Sequence, residues 1–367
     1  MRKAFICPSK YVQGENELYN LGNFIKLFGK SALLIAHKDD SKRVADQLAT
    51  TQKTADVKII VSDFGGECSR KEIERLRAVA KANDCDCIVG LGGGKALDTA
   101  KCVANSLKPV IVCPTIAATD APTSSSAVMY FEDGSFDDYA YFLSNPNIVL
   151  IDTAVIAKAP TRFLVSGMGD ALSTYFEARA TKQKFGHVNA GGSCVGGAVG
   201  TNASFALAEL CYQTLLEDGL KAKLACDANI VTPALENIIE ANILLSGLGF
   251  ESGGLAAAHA IHDGMTVIEE CHHFFHGEKV AFGTIVQLVL ENASSEEIEE
   301  VIYFCKSLGL PTCLADFGIE SLSNEKLMEV ANKTCTPGES VDNMPFPVTP
   351  QTIAAAILAA DKLGGAL

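Results

Sequence analysis

Histidines are concentrated in one short segment of this chain. The sequence has 367 residues and seven histidines, and five of the seven lie within residues 259–276, at His259, His262, His272, His273 and His276. Neutral imidazoles bind divalent metals well, so the cluster predicts metal binding. His259 and His262 lie three apart on a predicted helix and project from one face, whereas the adjacent His272 and His273 point in different directions and are weaker ligand candidates. Histidines that are merely exposed or hydrogen-bonded are the alternative.

An acidic residue elsewhere in the chain can complete such a site. Asp170 lies in the segment GDALSTYF, a helical pattern that is otherwise apolar, and an unpaired carboxylate in such surroundings would be costly. Together with two imidazoles it would give three protein ligands. That number is typical of catalytic metal sites that keep a position open for water or substrate.

Three consecutive glycines, Gly92, Gly93 and Gly94, separate a predicted strand from a predicted helix in CIVGLGGGKALDTAK. Backbone N–H groups at such a turn can bind a pyrophosphate, because glycine leaves no side chain in the way and the helix N-terminus is positive. The motif is neither a Walker loop nor GxGxxG, since Lys95 stands where the third glycine would be. It predicts nucleotide binding, with a tight structural turn as the alternative. The hydroxyl-rich segment PTIAATDAPTSS either lines the same crevice or is an ordinary polar loop.

The first 150 residues alternate β-rich runs with amphipathic helical stretches. The predicted strands are SALLIAHK, DVKIIVSDF, DCIVGLGGG, KPVIVCPT and NIVLID. This alternation predicts a parallel, doubly wound sheet, and an Asp-Gly pair between two aromatic runs, Asp133 and Gly134, predicts a hairpin. After about Pro160 the sequence becomes rich in Ala and Leu at helical spacing. We therefore expect an α/β domain over residues 1–160 and an all-helical domain over residues 161–367.

Composition and charge exclude several classes of protein. The formal net charge is −14, and such a surface repels polyanions, so no binding to nucleic acid or to anionic membranes is expected. The thirteen cysteines include no CxxC pair, which is typical of free thiols in a reducing cytoplasm. The sequence has no apolar run that reads as a signal peptide or a membrane span, so a cytoplasmic location is expected.

Eight motifs in the chain match those of one known family. They are KYVQG, FGGECS, GLGGGKALDTAK, PTIAATDAPTSS, GDALSTYFEARA, VTPALE, GFESGGLAAAHAIHDG and HHFFHGEKVAFGT, and they run through nearly the whole chain in the expected order. The series resembles the bacterial glycerol dehydrogenases, a branch of the iron-containing (family III) alcohol dehydrogenases, which share their fold with dehydroquinate synthase. The resemblance implies a Rossmann-like N-terminal domain, a helical metal- and substrate-binding domain, and a homo-oligomer, octameric in related enzymes.

The same resemblance implies a set of metal ligands. In the family, the metal is held by the aspartate of the GDA segment, the first histidine of HAxH and the histidine before GEK. In this sequence those residues are Asp170, His259 and His276. The resemblance implies one Zn²⁺ per subunit, with Fe²⁺ or Mn²⁺ as alternatives.

The resemblance also implies a binding site for NAD along the glycine turn and the hydroxyl-rich segment. The residues that match the family's cofactor contacts are Gly92, Gly93, Gly94, Lys95, Thr115, Thr119, Ser124, Ser126 and Tyr130. The aspartate of TDAP, Asp120, would contact the substrate, a small polyol.

Three features depart from the family pattern. Many relatives have a further histidine four residues after the ligand aspartate, where this chain has Thr174, and its absence suits a zinc site with three protein ligands. The family's acidic residue for the adenosine ribose is replaced by His37, followed by Lys38 and Asp39, so either Asp39 substitutes for it or NADP is tolerated. An apparent insertion lies near residues 186–204.

The expected reaction is the oxidation of glycerol by NAD to dihydroxyacetone and NADH. In this hypothesis the metal lowers the pKa of the alcohol, hydride passes to the nicotinamide, Asp120 orients the polyol, and His262 or a chain of waters passes the proton to solvent. Another vicinal diol such as 1,2-propanediol, or a 2-keto compound, is the alternative substrate. A dehydroquinate-synthase-like lyase is less well supported, because its polyanionic substrate needs basic contacts and segments such as DGMTVIEE are apolar or acidic.

Overall fold

The computed structural model of the protein describes residues 1–105, 107–191 and 197–367. They form two compact units. The sheet unit comprises Ile6–Pro160 and Ala225–Gly247, and the helical unit comprises Met1–Phe5, Thr161–Leu224 and Leu248–Leu367. The sheet unit thus includes a segment from beyond residue 160, and the two-domain division expected from the sequence stays a prediction. The core of the apparent insertion, residues 192–196, lies outside the described residues.

The strands account for the parallel sheet that the sequence predicts. In chain order they are β1 Lys10–Gly14, β2 Ser31–Ala36, β3 Lys58–Asp63, β4 Cys87–Gly92, β5 Val110–Pro114, β6 Ser126–Tyr130, β7 Phe136–Tyr141 and β8 Ile148–Asp152. Six of them form one sheet in the order β1-β8-β5-β4-β2-β3, and every pair in it is parallel. All five predicted strands are present in it, and β1 is an additional edge strand.

Continuous apolar runs explain why the central strands pair in parallel. Every residue of β4, β5 and β8 is buried, as expected for strands that are covered on both faces. The chain moves from β2 outward to β3 and then crosses to β4 on the other side of β2. This reversal creates a switch point at the carboxyl ends of β2 and β4, where open α/β sheets bind their ligands.

The remaining two strands, β6 and β7, form a separate antiparallel hairpin at the predicted Asp133-Gly134 turn. Gly134 has a φ of 86°, a conformation that favours glycine. Two of the predicted cofactor residues are the first and last residues of β6, Ser126 and Tyr130.

Helices make up most of the rest of the chain. In chain order they are α1 Leu21–Ile25, α2 Lys38–Arg43, α3 Ala45–Ala55, α4 Arg70–Ala82, α5 Gly94–Ala104, α6 Thr153–Ile156, α7 Thr161–Lys184, α8 Asn202–Asp227, α9 Pro233–Glu240, α10 Ser246–Gly253, α11 Ala257–Met265, α12 His276–Leu290, α13 Ser295–Leu308, α14 Asn324–Thr334 and α15 Pro350–Ala366. A π-helical turn, Ala241–Leu245, joins α9 to α10. The N-terminus of α13 is capped, because the Ser294 side chain accepts a hydrogen bond from the N–H of Glu297.

The helical unit is organised around α7, a helix of 24 residues that is buried along most of its length. The helix α12 packs along both α7 and α11. These three helices contain Asp170, His259 and His276, so their packing determines the geometry of the predicted metal site. In the described part of the chain, no helix is both long and apolar enough to cross a membrane.

Candidate active site

Asp170, His259 and His276 come together in the helical unit, as the sequence predicts. The Oδ1 atom of Asp170 lies 3.1 Å from Nε2 of His276 and 3.3 Å from Nε2 of His259. One potential ligand atom from each residue lies within 4.8 Å of the other two. Among the described residues, these three form the one cluster of acidic, histidine or cysteine side chains that meets this condition.

Asp170 provides the test of whether a cation fits this cluster. Its side chain is 2% exposed, and neither carboxylate oxygen accepts a well-formed hydrogen bond from the described residues. Burial alone would raise the pKa of Asp170, but the His276 and His259 imidazoles outweigh it and hold this pKa below its usual value. A buried carboxylate that is charged and lacks hydrogen bonds is costly. A divalent cation shared with two imidazole nitrogens would satisfy it, so the donor set fits a metal such as zinc.

Two glycines allow Asp170 and His276 to approach so closely. Gly169 precedes the aspartate in α7, and Gly277 follows the histidine in α12. A Cβ atom at Gly277 would overlap the carbonyl oxygen of Ser166 and lie 2.7 Å from the backbone nitrogen of Asp170. Because neither glycine has a side chain, the backbones of α7 and α12 are in direct contact at this crossing.

A chain of hydrogen-bonded side chains extends from His276. Its Nδ1 atom lies 3.1 Å from Nε2 of His262, and Nδ1 of His262 lies 3.0 Å from Oδ1 of Asp263. Burial, and then the charge of His276, lowers the pKa of His262 to about 3. A neutral His262 that donates to Asp263 through Nδ1 has Nε2 available to accept from His276, which leaves Nε2 of His276 facing Asp170. The role of His262 in passing a proton to solvent stays a prediction.

His272 and His273 are outside this cluster, in agreement with their ranking as weaker ligand candidates. The Nε2 atom of His272 lies 2.9 Å from the carbonyl oxygen of Thr266. The ring of His273 packs beside Phe274, with 5.5 Å between the ring centres.

The glycine turn lies at the carboxyl end of β4 in the sheet unit. Gly92 has a φ of 147°, and a Cβ atom there would lie 3.1 Å from Cβ of Ala96. Gly94 begins α5, and a Cβ atom at this position would meet nothing within 4 Å. The first N–H groups of a helix have no partner within the helix, and Gly93 caps α5 without a side chain. The turn therefore leaves backbone donors beside open space, which fits a bound phosphate group.

An acidic residue that the sequence interpretation did not select lies beside this turn. Oδ1 of Asp40 is 3.3 Å from the hydroxyl of Thr115, and its Oδ2 is 3.4 Å from the Cβ position of Gly92. His37, by contrast, is 57% exposed and caps α2, and Asp39 is 80% exposed. Asp40 lies four residues after the end of β2 and was missed because the turn into α2 decides which carboxylate faces the sheet edge.

Lys95 and Tyr130 lie together near the glycine turn. The Lys95 ammonium is 4.6 Å from the centre of the Tyr130 ring and 2.6 Å from Oε2 of Glu67. Burial, and then the nearby Asp98 carboxylate, raises the pKa of Tyr130 to about 12, so its hydroxyl stays protonated at neutral pH. Their expected contacts with the dinucleotide stay a prediction.

The segment that carries Ser124 and Ser126 is fixed by a buried ion pair. Lys101 in α5 is paired with Asp98 at 2.8 Å, and the two side chains are 2% and 7% exposed. The ammonium also donates to the carbonyl oxygens of Ala121 and Ser126, at 2.9 and 2.5 Å. Its Nζ lies 3.3 Å from the Ser124 hydroxyl, which is thus turned toward the protein interior. Binding of the dinucleotide by Ser124 and Ser126 stays a prediction.

We expect the substitution Lys101→Met to reduce the free energy of unfolding by about 3–5 kcal/mol, because it leaves the carboxylate of Asp98 buried without its counter-ion. Urea unfolding of the metal-free protein is the measurement. Lys221→Met is the matched control, since Lys221 also pairs with an aspartate three residues earlier but is 59% exposed. The control should change the free energy by less than about 1 kcal/mol. Equal losses in the two variants would contradict the structural role of Lys101.

Asp120 and Thr119 lie in the loop between β5 and the 3₁₀ turn Ala121–Thr123, and both are half-buried. Oδ2 of Asp120 accepts a hydrogen bond of 2.6 Å from the hydroxyl of Ser246, which follows the π-helical turn. The side chain of Asn242, within this turn, donates to the carbonyl oxygen of Ala117 at 3.0 Å. A π-helical turn is rare and often occurs at functional sites. The carboxylate of Asp120 is therefore held by a buried donor from a distant part of the chain.

Comparisons with known proteins identify the family. A model of the iron-containing alcohol dehydrogenases matches residues 8–153. A glycerol dehydrogenase of Citrobacter freundii is 50% identical to this chain over 365 residues, which are 99% of this chain and 98% of that protein. The chain belongs to the iron-containing alcohol dehydrogenase family.

Two further relatives extend the comparison. A solved structure of a probable glycerol dehydrogenase from Sinorhizobium meliloti has a TM-score of 0.91 to this chain, with 44% identity and 100% of both chains covered. A glycolaldehyde reductase of Halobacterium salinarum is 45% identical over 365 residues, covering 99% of this chain and 98% of that protein. The α/β fold with a helical C-terminal region, expected from the sequence, is thus confirmed.

Proposed function

We propose that this protein is a metal-dependent polyol dehydrogenase that oxidises glycerol with NAD to dihydroxyacetone. The observation that carries the proposal is the convergence of Asp170, His259 and His276 around a carboxylate that lacks hydrogen bonds. The high identity over the full chain to a protein named glycerol dehydrogenase supports the choice of substrate.

Zinc is the metal that we propose for this site. One carboxylate and two imidazoles are three protein ligands, which leaves room for substrate oxygens in the coordination sphere. When bound, the ion supplies Lewis acidity, which lowers the pKa of an alcohol and favours loss of its proton. The chain's own part is to orient the ligand atoms: Asp170 supplies the negative charge, and the chain from His276 through His262 to Asp263 keeps Nε2 of His276 directed at the site.

The sheet unit is proposed to bind NAD at the glycine turn. The first N–H groups of α5 would hold the pyrophosphate, and the nicotinamide would supply the hydride acceptor. The carboxylate of Asp40 lies beside Gly92 and Thr115, where it can accept a hydrogen bond from a ribose hydroxyl of NAD, but it is also paired with Arg43, a potential partner for the 2′-phosphate of NADP. Asp120 is proposed to orient the polyol by accepting a hydrogen bond from it.

We also propose that the protein is cytoplasmic and forms a homo-oligomer, octameric as in enzymes that it resembles. The twelve cysteines in the described residues are all free thiols, which supports a reducing compartment.

Reduction of a small hydroxyaldehyde is a second candidate function. A relative named glycolaldehyde reductase is 45% identical to this chain over nearly its full length, which supports a carbonyl substrate as well as a polyol. Both candidates use the same metal and the same dinucleotide, so they differ only in the preferred direction and substrate.

Removal of the metal is the experiment that tests the proposal. We expect glycerol oxidation by NAD to be lost when a chelator strips the purified protein and to return when Zn²⁺ is added. Assays with NADP, 1,2-propanediol and, in the reducing direction, glycolaldehyde rank the cofactors and substrates. Full activity in protein that elemental analysis shows to be metal-free would end the metal mechanism. Turnover with glycolaldehyde alone would favour the second candidate.

A further inference from the structure

We propose that Glu177 is a positioning residue for the metal site, which sets the tautomer and orientation of His259 and thereby the affinity for the metal. The inference rests on the metal-binding part of the proposed function. The side chain of Glu177 is fully buried, and its Oε2 lies 2.6 Å from Nδ1 of His259. The opposite ring nitrogen, Nε2, is the one that faces Asp170.

The second oxygen of Glu177 is fixed by the backbone of α11. Its Oε1 accepts hydrogen bonds from the N–H groups of Ala256 and His259, at 2.8 and 3.0 Å. Ala256 is the N-cap residue of α11 and His259 lies in its first turn, where N–H groups have no partners within the helix. The carboxylate is therefore unable to rotate without losing two hydrogen bonds, and Oε2 stays directed at the imidazole.

A carboxylate in this position determines where the ring proton resides. An ionised carboxylate only accepts hydrogen bonds, so Nδ1 of His259 must carry a proton to donate to Oε2. When a cation takes the place of the proton on Nε2, the ring keeps its remaining proton on Nδ1. Glu177 thus stabilises the one neutral tautomer whose lone pair points toward Asp170. Partners of this kind also make the ligating nitrogen more basic.

The position of Glu177 in the chain links it to the first metal ligand. Asp170 and Glu177 are seven residues apart in α7, which is about two helical turns, so both project from the same buried face. One helix therefore supplies a ligand directly and orients a second ligand on another helix. The alternative is a purely structural role, in which Glu177 only caps the N-terminus of α11.

The substitution Glu177→Gln distinguishes these two roles. The amide oxygen can still accept from the two backbone N–H groups, which places the amide NH₂ against Nδ1 of His259. That NH₂ group donates, so it forces the ring proton to Nε2 and blocks the ligand atom. We expect the variant to keep its fold while its zinc affinity falls about 10–100-fold. The affinity is measured on metal-stripped full-length protein by competition with the chromophoric chelator 4-(2-pyridylazo)resorcinol.

A spectroscopic readout reports on the tautomer itself. With only seven histidines in the chain, ¹⁵N-histidine labelling gives a simple spectrum, and solid-state NMR separates the two neutral tautomers by their ring nitrogen shifts. We expect His259 to carry a proton on Nδ1 in the metal-free native protein and to carry its proton on Nε2 in metal-free Glu177→Gln, with both spectra recorded without zinc. An unchanged tautomer in the variant would overturn the inference.

Two further variants complete the experiment. Glu291→Gln is the matched control, because Glu291 also contacts α7, through Arg179, and touches no imidazole, so zinc affinity should stay unchanged. Glu177→Asp retains an acceptor-only group and should lose less zinc affinity than Glu177→Gln, even if the glutamine variant folds poorly. Equal losses in Glu177→Asp and Glu177→Gln, or native affinity in both, would overturn the inference. Failure of the native protein to bind zinc would instead overturn the proposed function.

Discussion

Replacement of Asp170 by Asn is expected to abolish metal binding and reduce turnover by at least about 10³-fold. The carboxylate supplies the only negative charge among the three proposed ligands, and the Lewis acidity of a bound ion contributes several kcal/mol to such reactions. Zinc affinity should fall by more than the roughly 100-fold that loss of a supporting partner produces. Equilibrium dialysis against zinc and the rate of NAD reduction with glycerol are the measurements.

The unfolding midpoint of the metal-free Asp170→Asn variant shows whether a loss of activity is caused by unfolding. Asn has nearly the same shape as Asp, so the variant should fold, and its unfolding midpoint without metal reports only the loss of the pairing between Asp170 and the two imidazoles. Asp316→Asn is a suitable control, because this carboxylate also lies in the helical unit but accepts backbone hydrogen bonds and is not a proposed ligand. Normal zinc affinity in Asp170→Asn would refute the ligand assignment.

Substitution of Gly277 by Ala is expected to have the second large effect, on stability and on the metal site together. The added methyl group would overlap the carbonyl oxygen of Ser166, and this is backbone, which cannot rotate away. Separation of α7 from α12 is then the only relief, so we expect a loss of at least about 3 kcal/mol in the free energy of unfolding. The same separation moves His276 away from Asp170, so zinc affinity should fall about 100-fold or more. Urea unfolding and zinc competition are the measurements.

Gly365→Ala provides the control for this prediction. Gly365 is also helical, but a Cβ atom there would meet its nearest neighbour, Cβ of Cys313, at an ordinary 4.0 Å. This variant should be neutral or slightly more stable, since Ala favours helix more than Gly does. If Gly277→Ala behaved in the same way, the close approach of α7 and α12 would not be the feature that assembles the site.

The sheet unit was largely predictable because its signals are local. Fully apolar strands such as β4 and β8 appear as continuous runs in the sequence, and an Asp-Gly pair marks the β6–β7 hairpin. The glycine turn was also predictable, since strand, glycines and helix are adjacent in the chain. The edge strand β1 has a weaker signal, because its residues are half-buried or exposed and pair with β8 from the other end of the unit.

The sequence predicted the ligands of the candidate metal site but not the residues that position the ligands and the neighbouring side chains. Histidine clustering and an acidic residue in an apolar helix indicated a metal site that includes Asp170, and the family resemblance selected His259 and His276 among the five clustered histidines. Glu177 and Lys101 were missed, because an acidic or basic residue in a helix usually lies on its exposed face. The spacing of seven residues between Asp170 and Glu177 could have indicated Glu177, because it places both side chains on the same face of α7, a helix that is mostly buried. No such signal marks Ser246, whose contact with Asp120 depends on long-range packing.

The three proposed ligands all belong to the helical unit, although they come from distant positions between residues 170 and 276. A cation held by them would connect α7, α11 and α12, so these helices could not separate without releasing it. Ion binding to the native form alone would add about 2.7 kcal/mol of stability at a free concentration of 100 times the dissociation constant. The protein's resistance to heat and to proteases would therefore increase with the concentration of free zinc. In zinc-deficient cells both the amount of the protein and its activity would fall.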